Sequence, residues 1–271
     1  MSIVKPKTSA GKLPCQAYLG FNGQNGTMRL EIELNGEKKK YAPRKVKYLV
    51  IDEDFTEISG IKMGAPQEKG VKSNVCYGYE NRYFKAKLKD GTSIAAGPWL
   101  TIKPKVELYG GKLAQFSFVI LQKVQGTEDD AAINAALASN KVVAKVSYHG
   151  MASWEYGVLH KTHSTNDLAG FSITVGSFVT KASKTGVQSQ VPVFEAKKAE
   201  DSSPEYIASV GVFLSEIEPY IKYVKNGGTT AELDEQAVPE ASADDFIPDG
   251  GDFPTQEPLV SDAGLVDDEP F

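Results

Sequence analysis

Two stretches of the sequence set cations and flat rings at alternate positions. From Arg82 to Lys89, the residues Tyr83, Lys85, Lys87 and Lys89 alternate with Phe84, Ala86 and Leu88. Side chains two apart point to the same face of a strand, so this run has one basic and one apolar side. From Trp99 to Tyr109, the residues Trp99, Thr101, Lys103, Lys105 and Tyr109, interrupted by Glu107, alternate with Leu100, Ile102, Val106 and Leu108. Pro104 assigns this second run to a sheet edge or a bulge. Paired, the two runs make a cationic surface with aromatic rings set into it. The chemistry of such a surface is non-covalent: ammonium groups neutralise phosphates with release of counterions, and each ring that stacks an unpaired base contributes about 1–3 kcal/mol. Arg44, Lys47, Tyr77 and Arg82 are further candidates, placed less firmly by alternation. The alternative reading of the lysines is a solvated strand face, which would mix more Asp and Glu among them.

Covalent chemistry has no comparable signal. The turns at Gly20-Phe21-Asn22-Gly23 and Gly110-Gly111 lack the order of a phosphate-binding loop, and no Gly-rich segment joins a strand to a helix in the dinucleotide-binding pattern. His149, His160 and His163 have no Cys or Glu companions at metal-ligand spacing, and Cys15 and Cys76 are too few for a disulfide framework. The carboxylate pairs Asp129-Asp130 and Asp244-Asp245 read as a helix start and part of an acidic tail rather than a two-metal site. The expectation is a protein that is not an enzyme and that takes no cofactor and no metal.

The elements that must hold the basic surface are mostly short strands. Runs of β character occur at Met28–Leu34, Tyr41–Asp52, Phe55–Met63, Val75–Tyr79, Tyr83–Leu88, Ile94–Leu108 and Leu113–Val124, separated by Gly, Asn, Asp and Pro. Asp90-Gly91 and Tyr109-Gly110-Gly111-Lys112 read as hairpin turns. A helix is expected over about Glu128–Ser139, with Thr127 capping it, followed by β character at Lys141–His149 and Phe171–Thr180. A second helix is expected from Pro204 to Lys225, with Ser203 as N-cap and Ile207, Val210, Leu214, Ile217 and Ile221 at helical spacing against the body; Pro219 kinks or shortens it. The stretch between His149 and Phe171 has no clear period. The expected class is mainly β within α+β, a closed or nearly closed antiparallel barrel with added helices. Residues 1–26 read as a flexible N-terminal arm, residues 27–228 as the body, and residues 229–271 as a disordered tail.

Charge divides along the same boundary. The net charge of −5 conceals 13 Asp and Glu between Ala231 and Phe271 with no Lys or Arg, so the preceding residues carry 30 basic and 22 acidic side chains, a net of +8. A basic body with an acidic end is the pattern of a protein that meets polyanions and presents an interaction arm. The chain closes on Leu265-Val266-Asp267-Asp268-Glu269-Pro270-Phe271. This terminus resembles the tail tip of bacterial single-stranded DNA-binding proteins, an acidic stretch ending in Pro-Phe, and the acidic, Phe-terminated tails of the phage-encoded members. The strict match covers about five residues and the compositional match the whole acidic end; a body larger than the bacterial type and directly followed by the tail is closer to the phage type. The resemblance implies an OB-fold body, single-stranded DNA as ligand, and replication or recombination proteins as partners of Asp267, Asp268, Glu269, Pro270 and Phe271. No run reaches the length of a membrane helix and no signal peptide is evident at the start, so the expected location is the cytoplasm of a bacterial host cell. The oligomeric state is left open. Two other classes fit the same residues: a protein-binding adaptor that does not touch DNA, and a duplex-binding transcription or recombination regulator.

Overall fold

The computed structural model describes residues 13–34, 36–60, 70–78, 82–139, 141–165, 167–182, 186 and 188–226. The chain runs through β1 (Ala17–Asn22), β2 (Thr27–Leu34), β3 (Glu37–Tyr41), β4 (Lys45–Gly60), β5 (Val71–Ser73), β6 (Cys76–Tyr77), β7 (Phe84–Leu88) and β8 (Ser93–Gly97). It continues through α1 (Trp99–Glu107), β9 (Lys112–Gln125), α2 (Asp130–Ser139), β10 (Val143–Tyr148), α3 (Gly150–Thr162), β11 (Phe171–Ala182) and β12 (Gln188–Lys198). A C-terminal helix of three parts follows: α4 (Pro204–Val212), a π-helical turn (Phe213–Ile217) and α5 (Glu218–Lys225).

The strands form one sheet in the order β3-β2-β1-β10-β9-β4-β5-β7-β8, with β6 and β11 also on β4 and β12 beyond β11. The class is mainly β, as expected, but the sheet is mixed and open. β1 pairs parallel to β10, and β3 and β8 end the path without meeting, so the closed antiparallel barrel is corrected. The reason lies in β4, which pairs with β9 along its length and divides its other edge between β11 and the short strands β6 and β5. Register shifts at Lys47/Tyr48, Val50/Asp52 and Asp52/Phe55 bend it, and a bulged strand re-aims the sheet instead of closing it.

Three apolar clusters lie around this strand. Val46, Tyr48 and Val50 belong to the first, with β1, β2, β10, α3 and β11. Ile51 and Phe55 belong to the second, where Phe116, Phe118, Ile120 and Val143 are covered by Val212, Ile217, Tyr220, Ile221 and Val224 of the C-terminal helix. Ile58 belongs to the third, with Val71, Phe84, Ala86, Leu88, Ile102 and Val106.

Several elements differ from the sequence expectation. β1 lies inside the stretch read as an arm and is a sheet strand with Leu19 fully buried. The run Ile94–Leu108 is not one strand: it breaks at Pro98 into β8 and α1. Leu100, Ile102, Val106 and Leu108 fit either period, and burial of Ile102 and Val106, four apart, on the Phe84–Leu88 face selects the helix. Pro104 inside α1 removes one helical hydrogen bond, a cost offset by that burial. The Tyr109–Lys112 turn therefore joins a helix to a strand, and Gly111 is needed there, because a Cβ would lie 2.5 Å from Val106 Cγ1. Tyr41–Asp52 and Phe55–Met63 are largely the single strand β4, their ends beyond Gly60 falling outside the described residues, as does Tyr79. α3 and β12 had no sequence signal.

The hairpin at Asp90-Gly91 is present, with Gly91 at φ +87° and the Thr92 amide donating to Asp90 Oδ1 at 2.9 Å. The long C-terminal helix is present too, with the Tyr206 amide donating to Ser203 Oγ at 3.2 Å. Its apolar repeat splits at the π-helical turn: Ile217 and Ile221 are buried, whereas Ile207, Val210 and Leu214 are exposed. The wider turn shifts the helix face, so one stripe cannot serve both halves. Among the described residues, no helix is long and apolar enough to cross a membrane.

Candidate nucleic-acid interface

In β7 the alternation is realised. Phe84, Ala86 and Leu88 are buried, while Tyr83, Lys85 and Lys89 are exposed and Lys87 is half-buried. Cross-strand register then shows which cations share its face. Lys87 pairs with Lys72 on β5, Lys72 with Ser59 on β4, and Ser59 with Lys112 on β9. Lys87 also pairs with Ser93 on β8, and Lys85 with Ala96. Paired residues project to the same side, so Lys87, Lys72 and Lys112 form one row across the sheet, with small polar residues between them and Lys85 alongside. Among the described residues, no carboxylate lies within ion-pair distance of Lys85, Lys87 or Lys89.

The row runs toward a buried polar cluster on the same side of the sheet. Lys145 Nζ is 2.7 Å from both Glu57 carboxylate oxygens and 4.2 Å from the centre of the Phe116 ring. Burial opposes the Lys145 charge, but the Glu57 carboxylate outweighs it and the pKa is raised. Burial lowers the pKa of Lys112, with Glu107 acting against the shift. His149 is pushed down to about 4, first by burial and then by Lys145 and Lys112. Tyr18, beside Ser147 and Lys145, has its hydroxyl pKa raised by burial. Arg29 pairs with Glu31 on β2.

The second half of the sequence-derived surface lies elsewhere. α1 packs on the buried side of β7 through Ile102 and Val106, opposite the face of Lys85 and Lys87. Trp99 is half-buried against that cluster, Lys103 Nζ is 3.7 Å from Glu107, and Lys105 and Tyr109 are exposed around the helix. The single surface expected from Tyr83, Lys85, Lys87, Lys89, Trp99, Lys103, Lys105 and Tyr109 is therefore divided between two sides of the β5–β7–β8 layer. Of the remaining candidates, Tyr77 donates to Asp52 Oδ2 at 2.9 Å, packs on Phe55 and lies 5.0 Å below Lys225 Nζ, which gives its ring a structural role. Arg82 Nε donates to the Gly78 carbonyl at 3.0 Å. Arg44 and Lys47 are exposed at the far end of β4. The tail residues Asp267, Asp268, Glu269, Pro270 and Phe271 lie outside the described residues.

Lys72 and Lys112 were missed. Lys72 sits in a three-residue strand and Lys112 directly follows a Gly-Gly turn, so neither has enough neighbours for a period to form. A pocket of acids at the bend of β4 was missed as well. Glu53 accepts from Tyr156 Oη at 2.6 Å and from the Leu168 amide at 2.9 Å, with His160 Nε2 at 3.4 Å. Burial pushes Glu53 up to about 7 and Asp52 up to about 6. Among the described residues, no cluster of His, Cys, Asp or Glu is arranged to hold a metal ion.

Comparison with known protein families, with curated proteins and with solved structures finds no match for this chain.

Proposed function

We propose that this chain binds and protects single-stranded DNA along the row Lys85, Lys87, Lys72 and Lys112, and recruits replication or recombination proteins through its acidic C-terminal end. The carrying observation is the row itself. Lys72 and Lys87 are direct cross-strand partners, so two cations stand side by side on one face, in line with Lys112, at a spacing suited to successive phosphates of one strand. Tyr83, exposed at the head of β7, supplies a ring beside the cations, which is what an unpaired base requires. The surplus of positive charge outside the acidic end supports the same reading. An OB-like character of the body belongs to this proposal too, supported by the β1–β2–β3 meander and by the bent β4 that pairs throughout with β9.

Fluorescence polarisation of labelled oligothymidylate and duplex across a salt series tests the reading. Single strands should bind more tightly, and Lys72→Ala with Lys87→Ala should reduce the slope of log K against log salt by about 1.4, at about 0.7 per phosphate contact. Lys103→Ala with Lys105→Ala, on the opposite side, serves as the control and should leave the slope unchanged. Preference for duplex would favour the regulator. Absence of binding at low salt would favour the adaptor, for which the exposed stripe Ile207, Val210 and Leu214 is the supporting feature.

A further inference from the structure

A second group of cations lies on the same side of the sheet, beyond the C-terminal helix. Lys45 and Lys47 alternate with the buried Val46 and Tyr48, so they point to the face that carries Ile51. Lys47 pairs directly with Lys123 on β9 and with Thr174 on β11, and Lys45 pairs with Gln125. Here again like charges are direct cross-strand partners, and both are exposed. Among the described residues, no carboxylate is within ion-pair distance of Lys45, Lys47 or Lys123, although Glu195 on β12 stands in the same row, beyond Thr174. The Lys45 stem rests on Gly176, and the Arg44 side chain lies over Gly126, where an added Cβ would be 2.7 Å away, so both stems are supported by backbone. The neighbouring positions on this face are Ser172, whose hydroxyl donates to Gln122 Oε1 at 2.7 Å, and Lys197 paired with it.

One face of the β4–β9 ladder therefore reads in three blocks. Lys45/Gln125 and Lys47/Lys123 come first, Leu49/Ile120 and Phe55/Phe116 occupy the middle, and Ser59/Lys112 leads into the row of Lys72 and Lys87. The C-terminal helix covers only the middle block. From Lys47 to Ser59 the strand spans up to about 40 Å at about 3.3 Å per residue, less at its bulges. A stacked single strand rising about 3.4 Å per nucleotide covers that distance with on the order of ten nucleotides. Across the gap, the outward side of the helix presents Ile207, Val210 and Leu214, apolar surface suited to base faces rather than to phosphates.

We propose that Lys45, Lys47 and Lys123 hold a second stretch of the same DNA strand, so that a long ligand crosses the C-terminal helix from one lysine group to the other while a short one occupies the Lys72/Lys87/Lys112 row alone. This rests on the single-strand reading above and adds a length dependence to it. The test compares oligothymidylates of about 8 and about 30 nucleotides, lengths either side of the span. Lys47→Glu with Lys123→Glu should leave the short ligand's affinity within about twofold, weaken the long ligand by about tenfold or more, and lower its salt slope by about 1.4. Lys72→Glu with Lys87→Glu should weaken both. The milder pair Lys47→Gln and Lys123→Gln, with thermal unfolding followed in parallel, keeps the outcome interpretable if the reversed charges disturb β4. A long-ligand affinity unaffected by changes at Lys47 and Lys123 overturns the second stretch and leaves the first reading intact. Equal loss for both lengths overturns the division of labour. If the Lys72 and Lys87 changes affect neither length, the underlying reading itself fails.

Discussion

Glu53 sits in an environment that moves its ordinary chemistry in a way that a measurement can follow. Its carboxyl, held at about 7 by burial against an ordinary 4.5, binds a proton more tightly in the folded chain than in the unfolded one. Stability from this group is therefore complete below about pH 4.5 and is lost as pH rises through 7. Asp52, at about 6, contributes with the same sign. His149 acts oppositely: held down to about 4, it charges more readily in the unfolded chain, so its contribution falls as pH drops from 6.5 toward 4. Glu53→Gln should leave stability near pH 5 little changed and raise it at pH 8 by on the order of 1–3 kcal/mol, read from urea midpoints at the two pH values. A variant less stable than the parent at pH 8 would show that the ionised carboxylate, with its bonds to Tyr156 and Leu168, is an asset there. The lysine row belongs to the same scale. Lys85 and Lys87 are legible in the sequence because their strand has five residues of clean alternation, whereas Lys72 and Lys112 join them only through partners distant in the chain.

Among the elements, the C-terminal helix closes the second apolar cluster, and its start depends on one hydroxyl. Ser203 Oγ accepts from the Tyr206 amide, and Pro204 occupies the first turn. Ser203→Ala should cost about 1 kcal/mol and lower the melting temperature, read by calorimetry, while leaving the affinity for an oligothymidylate of about 8 nucleotides unchanged, because the Lys72/Lys87/Lys112 row that holds the short ligand does not lie on this helix. This cap was legible because cap, proline and apolar repeat lie within one short segment. α1 was not, because its apolar residues satisfy a strand period as well as a helical one, and only packing on Phe84, Ala86 and Leu88 decides between them. β1 was hidden for a related reason: its parallel pairing with β10 unites residues more than a hundred positions apart.

For the whole molecule, the decisive quantity is the separation of charge. Residues 229–271 hold 13 acidic side chains, and the rest of the chain is positive by 8. Removing residues 229–271 should tighten oligonucleotide binding at low salt and have a diminishing effect as salt screens the repulsion between acidic end and phosphates. Equal affinities of the full and shortened chains at low salt would count against any such interplay. The folded part is organised by β4 and β9, which contribute to all three apolar clusters, so the lysine groups at the two ends of that ladder are held by one continuous hydrogen-bonded frame.

Local order and overall charge were decided by the amino-acid sequence alone: the basic and apolar sides of β7, the Asp90-Gly91 turn, the capped C-terminal helix, and the contrast between a basic body and an acidic end. Each depends on neighbours a few residues apart or on simple counting. The tertiary structure decided the mixed open sheet, the helical state of Trp99–Glu107 and the company that Lys87 keeps. Those depend on pairing and burial between distant segments, where a strand's alternation says which side chains go together but not which strand will lie beside it.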